Sequence, residues 1–491
     1  MVRLAALLAL ALTLSAPVAA ATSGLTAGDM DDHLNWTHYL GYTARTLDGS
    51  PLLPDLALSD RVTLRIQDAA GHPVPFAQVV VTDGEGASVS LVAGADGIVR
   101  LFPGFDGLAA GGLTVRPADD VQASGVAIDL GAEGRIAAAT CEARPAPTAI
   151  DLMFVVDATG SMSDELQYLT KEISGIVGQV AASYPNADLR FGLTVYRDHG
   201  DEYVVKALGF TPSLQTMQDR LAEQRAGGGG DYPEAMEEAL AAAVHADWRG
   251  GATSRLMFLV ADAPPHEHGY GAFIDGVREA RGKGIHVEPV GASGVGNEAE
   301  YLMRAAAVLT QGRYVFLTDD SGVGNSHAEP HVKCYLVTEL SDLLVRIVGS
   351  EFTGTRIEAA PGDVIRRVGA YDHGACLAGD DGQEQVVGQE QPVAGTAGTA
   401  GGAGGAGSPA ESPVARSTDS GDSDLYAVSH DGAADSVRVS WSEASGAATG
   451  TGPALPAPAT GASTKATPGL EPMWTVAALA VFAAFRSRRA P

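Results

Sequence analysis

The chain has 491 residues, with 60 Asp and Glu against 32 Lys and Arg and a formal net charge of −28. So acidic a chain lacks the clustered cations that a phosphate backbone requires, which makes it a poor match for nucleic acid. Hydrophobic residues make up 45%, enough for a sizeable core, and the length suits about two or three domains plus linkers.

The N-terminus carries Arg3, an apolar run over 4–14 and small residues over 16–21. That order of charge, apolar stretch and small residues reads as a signal peptide over 1–21. Export permits disulfides. The three cysteines, Cys141, Cys334 and Cys376, allow three intrachain pairs. Cys141 and Cys376 flank the central part of the chain, so a bridge near its two ends is one expectation. Residues 24–50 show no clear pattern, beyond an Asn35-Trp36-Thr37 glycosylation sequon.

Residues 55–142 read as a β-sandwich. Alternating or Val-rich runs over 62–66, 76–82, 88–92 and 98–102 are separated by Gly and Asp turns. The stretch "DAAGHPVPFAQVVVTD…GADGIVRLFP" resembles carboxypeptidase-regulatory-like and related Ig-like modules of secreted proteins, which implies a spacer or stalk.

Over 148–353 apolar strands alternate with amphipathic helices. Strands are expected over 150–156, 189–196, 255–261, 285–290 and 314–317. Helices are expected over 164–182, 235–246, 273–283, 299–309 and 337–348. In the first helix Leu166, Leu169, Ile173, Ile176, Val177 and Val180 form one broad face. The alternation predicts an α/β fold, a doubly wound, mostly parallel sheet with helices on both faces.

In such sheets ligands bind beyond the carboxyl ends of the strands, and three groups of oxygen donors fall there. Asp157-Ala158-Thr159-Gly160-Ser161 follows the first strand and can aim Asp157, Thr159 and Ser161 at one point. Asp231 ends a run of four glycines before a helix. Asp262 ends the 255–261 strand. Carboxylates and hydroxyls are hard donors suited to Mg²⁺ first, with Ca²⁺ or Mn²⁺ as alternatives.

These motifs resemble the von Willebrand factor type A family, a Rossmann-like fold, and its metal-ion-dependent adhesion site. Thr159 stands where the family's first Ser does, Ser161 matches the second, and Asp262 matches the later Asp. Asp231, in Gly229-Gly230-Asp231-Tyr232-Pro233-Glu234, takes the place of the family's Thr. The resemblance implies metal-dependent binding of a protein or cell-surface ligand, or adhesion, rather than an enzyme. Three carboxylates around one divalent ion leave a formal charge of about −1. Such a site should hold its metal tightly, partly as a structural ion, and attract acidic ligands less.

Among other candidates, Asp198 reads as a loop acid and Asp319-Asp320-Ser321-Gly322 as a turn. His266-Glu267-His268 lines the metal edge, and Tyr301 and Met303 read as core. No Gly-x-Ser-x-Gly elbow, phosphate loop or His-Glu-x-x-His is present. The rival functions are a metal-dependent hydrolase using His266 or His268, and a purely structural cell-envelope protein.

Residues 378–467, rich in Gly, Ala, Ser, Thr and Pro, read as a flexible, disordered linker, with strand-like alternation at 437–441. The 468–491 tail has an apolar run from Met473 to Phe485 ahead of Arg486, Arg488 and Arg489. As a helix it reaches about 20 Å, short of a hydrocarbon core of about 30 Å. It resembles archaeal Pro-Gly-Phe surface-sorting signals, departing at Leu470, and implies a membrane anchor.

Overall fold

The computed structural model describes residues 24–377 apart from 110, 121, 123–124, 129–135, 324–325 and 328–329, together with the strands Glu384–Gln385 and Val437–Val439. All of these fall within one of the chain's two units, Met1–Ser442. The leader at 1–21, the 468–491 tail and most of the 378–467 linker lie outside the described residues. Among the described residues no helix is long and apolar enough to cross a membrane.

The centre is a ten-stranded sheet. Ala149–Asp157 lies in its interior, parallel to Asp188–Tyr196 on one side and Thr253–Ala261 on the other. His286–Gly291 and Tyr314–Thr318 continue the parallel run. All nine residues of Ala149–Asp157 are buried, as a strand covered on both faces requires. Its alternate side chains serve two cores. Met153 and Val155 pack with the helices Met236–Val244, Tyr270–Lys283 and Asn297–Thr310. Ile150, Leu152, Phe154 and Val156 pack with Leu166–Ser183 and Leu340–Thr353. The sheet is therefore doubly wound, and the six apolar residues expected to face the core from the first helix are all buried.

Several elements of the sheet region went unread in the sequence. Val205–Thr211 forms an antiparallel edge strand. Leu214–Ala222 follows as a helix capped by Ser213, whose side chain accepts from the Thr216 N–H. The expected 337–348 helix is in fact a strand, Tyr335–Glu339, followed by the helix Leu340–Thr353. The β-rich run Tyr335-Leu336-Val337-Thr338 ends where Leu340, Leu343, Leu344, Ile347 and Val348 take up helical spacing.

The unassigned N-terminal stretch supplies an interior strand of the sheet. Thr26–Met30 lies between Tyr314–Thr318 and Tyr335–Glu339 and runs antiparallel to both. Gly28 is required there, because a Cβ would come within 2.7 Å of the Phe316 ring. The helix Trp36–Gly49 follows and buries Tyr39 and Tyr42.

Between this N-terminal piece and the rest of the α/β layer, two four-stranded sheets share one buried cluster that includes Val62, Leu64, Val79, Val81 and Leu91. Val62–Gln67, Gln78–Thr82, Ser88–Val92 and Ile98–Leu101 match the four expected strands. Val437–Val439 adds in parallel beside Ile136–Thr140. Arg281, on the helix Tyr270–Lys283, forms a buried ion pair with Asp106 and joins this β body to the α/β layer.

Cys334 is bonded to Cys376, not Cys141 to Cys376. Cys141 packs instead against the core of the β body. Asn35 corrects the sequon. It is 5% exposed, donates to the Gly374 carbonyl at 2.7 Å and accepts from the Cys376 N–H at 2.7 Å. Its amide holds the disulfide loop and is closed to a glycan.

Candidate metal centre

The carboxyl end of Ala149–Asp157 leads into a tight loop. Asp157 and Thr159 are fully buried, while Ser161 is exposed. Oδ1 of Asp157 accepts from the Thr159 N–H at 2.8 Å and its hydroxyl at 2.6 Å. The Thr159 and Ser161 hydroxyls lie 3.0 Å apart. Oδ2 of Asp157 is buried with no hydrogen-bond partner.

A glycine loop closes over these residues. Gly160 donates to the Gly228 carbonyl at 3.0 Å, and a Cβ at Gly160 would meet that oxygen at 2.8 Å. Gly228 and Gly229 have φ of 79° and 71°, the left-handed region glycine adopts without strain. A Cβ at Gly229 would meet Glu234 Oε1 at 2.8 Å and the Thr159 Cβ at 3.3 Å. This turn brings Glu234 inward. Its N–H bonds the Pro264 carbonyl at 3.0 Å, tying it to the segment after Asp262. Glu234 is 2% exposed, and its Oε2 has no hydrogen-bond partner.

The result is a cluster of buried acids. Burial raises the Asp157 carboxyl to about 7, with the Asp262 charge adding to it. Burial raises Glu234 to about 9, reinforced by Asp157, Asp198 and Asp262. The buried Tyr196 hydroxyl beside them is also pushed well up, by burial and then by Asp157. Neighbouring acids that each disfavour the other's ionisation hold their protons unless a cation offsets the charge.

The expected donors thus divide. Asp157, Thr159, Ser161 and Asp262 come together; Asp231 is exposed on the glycine loop. Glu234, three residues further on, is the acid that reaches Asp157. The signal for it was in the sequence, as an acid after proline beside the first turn of a helix, but burial alone separates it from Asp231. Asp198 is 5% exposed and is held by His266 Nε2 at 2.8 Å. Thus His266 is committed to Asp198, and His268 is exposed. Asp319 and Asp320 hold His327 and Arg366. Tyr301 and Met303 are core.

A family model described as the von Willebrand factor A domain matches residues 151–300, the stretch that contains Asp157, Thr159, Ser161, Asp231, Glu234 and Asp262.

Residues 151–300 are a von Willebrand factor A domain.

The chain is 29% identical over 151 residues to the alpha-protein kinase vwkA of Dictyostelium discoideum, covering 30% of this chain and 24% of that one. It is 31% identical over 117 residues to a putative ariadne-like RING finger protein of Acanthamoeba polyphaga mimivirus, covering 24% and 11%. The chain therefore spans a quarter or less of these relatives. Among solved structures it is similar to a conserved hypothetical protein BatB from Bacteroides thetaiotaomicron (TM-score 0.31, 16% identity, 41% and 98% of the two chains). It is also similar to an aerotolerance-related membrane protein from Bacteroides fragilis (TM-score 0.29, 11% identity, 42% and 100%). The sheet that carries the matched residues extends beyond them, since Thr26–Met30 is one of its strands.

Proposed function

We propose that the von Willebrand factor A domain binds one divalent cation, Mg²⁺ by preference, and uses it to bind a protein or cell-surface ligand. Asp157, Thr159, Ser161 and Asp262 would hold the ion, with Glu234 balancing its charge and exposed Asp231 available from the solvent side. The observation that carries this reading is the pair of buried carboxylate oxygens, Asp157 Oδ2 and Glu234 Oε2, that lack any hydrogen-bond partner. Burying such oxygens is costly unless a cation or donor meets them. When bound, the cation supplies a Lewis-acidic position for a ligand oxygen. The surrounding carboxylates favour a neutral or basic ligand surface over an acidic one.

An exported, surface-anchored location accords with the charged and apolar leader at 1–21, the apolar and basic 468–491 tail, and the Cys334–Cys376 bond, which suits an oxidising compartment. A binding role rather than catalysis accords with His266, which is committed to Asp198.

The test is calorimetric titration of Mg²⁺, Ca²⁺ and Mn²⁺ into the full chain and into a variant carrying Asp157→Ala and Ser161→Ala. Saturable binding in the wild type that the variant loses is expected. A folded wild type that binds none of the three would overturn the proposal.

A further inference from the structure

At the other end of the same sheet a second group of metal-type donors converges. His286 and Glu288 are two residues apart on the strand His286–Gly291, so they share a face. That face looks toward the helix Leu340–Thr353, which supplies Glu351. His286 Nδ1 lies 2.5 Å from Glu351 Oε2. One donor atom from each of His286, Glu288 and Glu351 lies within 4.8 Å of the other two. His286 pairs with Leu256, six residues before Asp262, which puts this group about 20 Å from the Asp157 centre at ~3.3 Å per residue.

Glu288 is the decisive residue. It is 0% exposed. Its Oε2 accepts from the Arg313 N–H at 2.6 Å, while its Oε1 has no hydrogen-bond partner. The Arg313 guanidinium pairs with Asp29, Nη1 lying 3.6 Å from its Oδ2, and is near enough to act on Glu288 and Glu351 through its charge. A third acid, Asp96, comes from a turn of the β body: a Cβ on Gly94 would touch both Asp96 Oδ1 and His286 Cε1. A cavity of about 400 Å³ opens beside the group, lined by Asp96, Arg100, His286, Arg313, Glu351 and Arg356. Arg100, Arg313 and Arg356 offset part of the acidic charge from the cavity side, but none of them donates a hydrogen bond to Glu288 Oε1.

We propose that His286, Glu288 and Glu351 form a second divalent-cation site, for a transition metal such as Zn²⁺. One imidazole nitrogen with carboxylate oxygens suits Zn²⁺, Co²⁺ or Mn²⁺, whereas Mg²⁺ prefers an octahedron of oxygen and water. The site joins a sheet strand to the helix Leu340–Thr353, with the turn bearing Asp96 beside it.

The experiment is a titration of Co²⁺ into the full chain kept saturated with Mg²⁺, read by visible absorption and by bound metal per chain. One Co²⁺ is expected, displaced by Zn²⁺, retained in Asp157→Asn and weakened at least tenfold in Glu288→Gln and in His286→Gln. Failure of the wild type to bind Co²⁺, or binding that Asp157→Asn abolishes, would overturn the proposal. So would unchanged affinity in a folded Glu288→Gln. If that variant fails to fold, the histidine NMR spectrum of the wild type with Zn²⁺ decides. A metal-induced shift of the His286 ring signals supports the site, and its absence overturns it.

Discussion

Asp157 and Thr159 are joined twice through one oxygen, since Oδ1 of Asp157 accepts both the N–H and the hydroxyl of Thr159. The second oxygen, Oδ2, is left bare inside the protein. This division of labour sets opposite expectations for the apo and metal-loaded protein. In Asp157→Asn, Mg²⁺ affinity should fall more than tenfold, a loss of at least about 1.4 kcal/mol. The apo protein should melt higher than wild type, because a buried charge near other carboxylates is gone. Calorimetry and thermal unfolding in chelator check the two halves separately, and an apo variant that melts lower would refute the second.

Glu234 and Asp231 can be told apart by single substitution. Glu234 is buried against the centre and Asp231 is exposed. Glu234→Gln should alter metal affinity more than Asp231→Asn does. Equal losses, measured by Mn²⁺ titration, would place both acids on the ion.

The glycine turn should be intolerant. Gly229→Ala adds a Cβ in the left-handed region against Glu234 Oε1 and the Thr159 Cβ. A cost of about 1–3 kcal/mol is expected in urea unfolding, with weaker metal binding because Glu234 must shift. Gly230→Ala meets nothing within 4 Å and serves as the control.

The Cys334–Cys376 bond closes a separation of 42 residues. Replacing both cysteines with serine should lower stability by about 2–4 kcal/mol. The Asn35 contacts to Gly374 and Cys376 should then loosen, which faster amide exchange at Cys376 in a reduced, unsubstituted sample would record.

His327 bridges two acids, with Nε2 2.8 Å from Glu165 and Nδ1 2.7 Å from Asp319. Burial works against its positive charge, but the bonds to Glu165 and Asp319 outweigh that and hold its pKa above the ordinary value. A raised histidine stabilises fully below its unfolded value and loses that contribution as pH rises through its folded value. The stability difference between wild type and His327→Gln should therefore be greatest in mild acid and shrink toward alkaline pH. A difference that grows with pH would contradict this.

The sheet was legible because strands such as 150–156 are unbroken apolar runs and the 164–182 helix carries a clear apolar face. The loop at Asp157, Thr159 and Ser161 was legible because its donors are adjacent in sequence. Glu234 was harder to read, since its inward position depends on positive φ at Gly228 and Gly229, a three-dimensional property. Thr26–Met30 was hidden for another reason. Thr-Ala-Gly-Asp-Met has no strand-like pattern, and neighbours almost 300 residues away supply its pairing. Tyr335–Glu339 was absorbed into a helix because apolar residues continue without a break into the true helix. The Cys334–Cys376 bond lay beyond spacing rules, which left three pairings open.

The place of Thr26–Met30 also bears on the order in which the molecule is made. Thr26 pairs with Thr318 and with Glu339, so one of the first segments of the fold to leave the ribosome must wait for one of the last. At about 5–20 residues per second, that delay is roughly 15–60 s. Throughout it, Thr26–Met30 lacks the two strands, Tyr314–Thr318 and Tyr335–Glu339, between which it belongs. Closing so distant a contact is slow. A holding chaperone, or export before folding, would protect the chain during this interval.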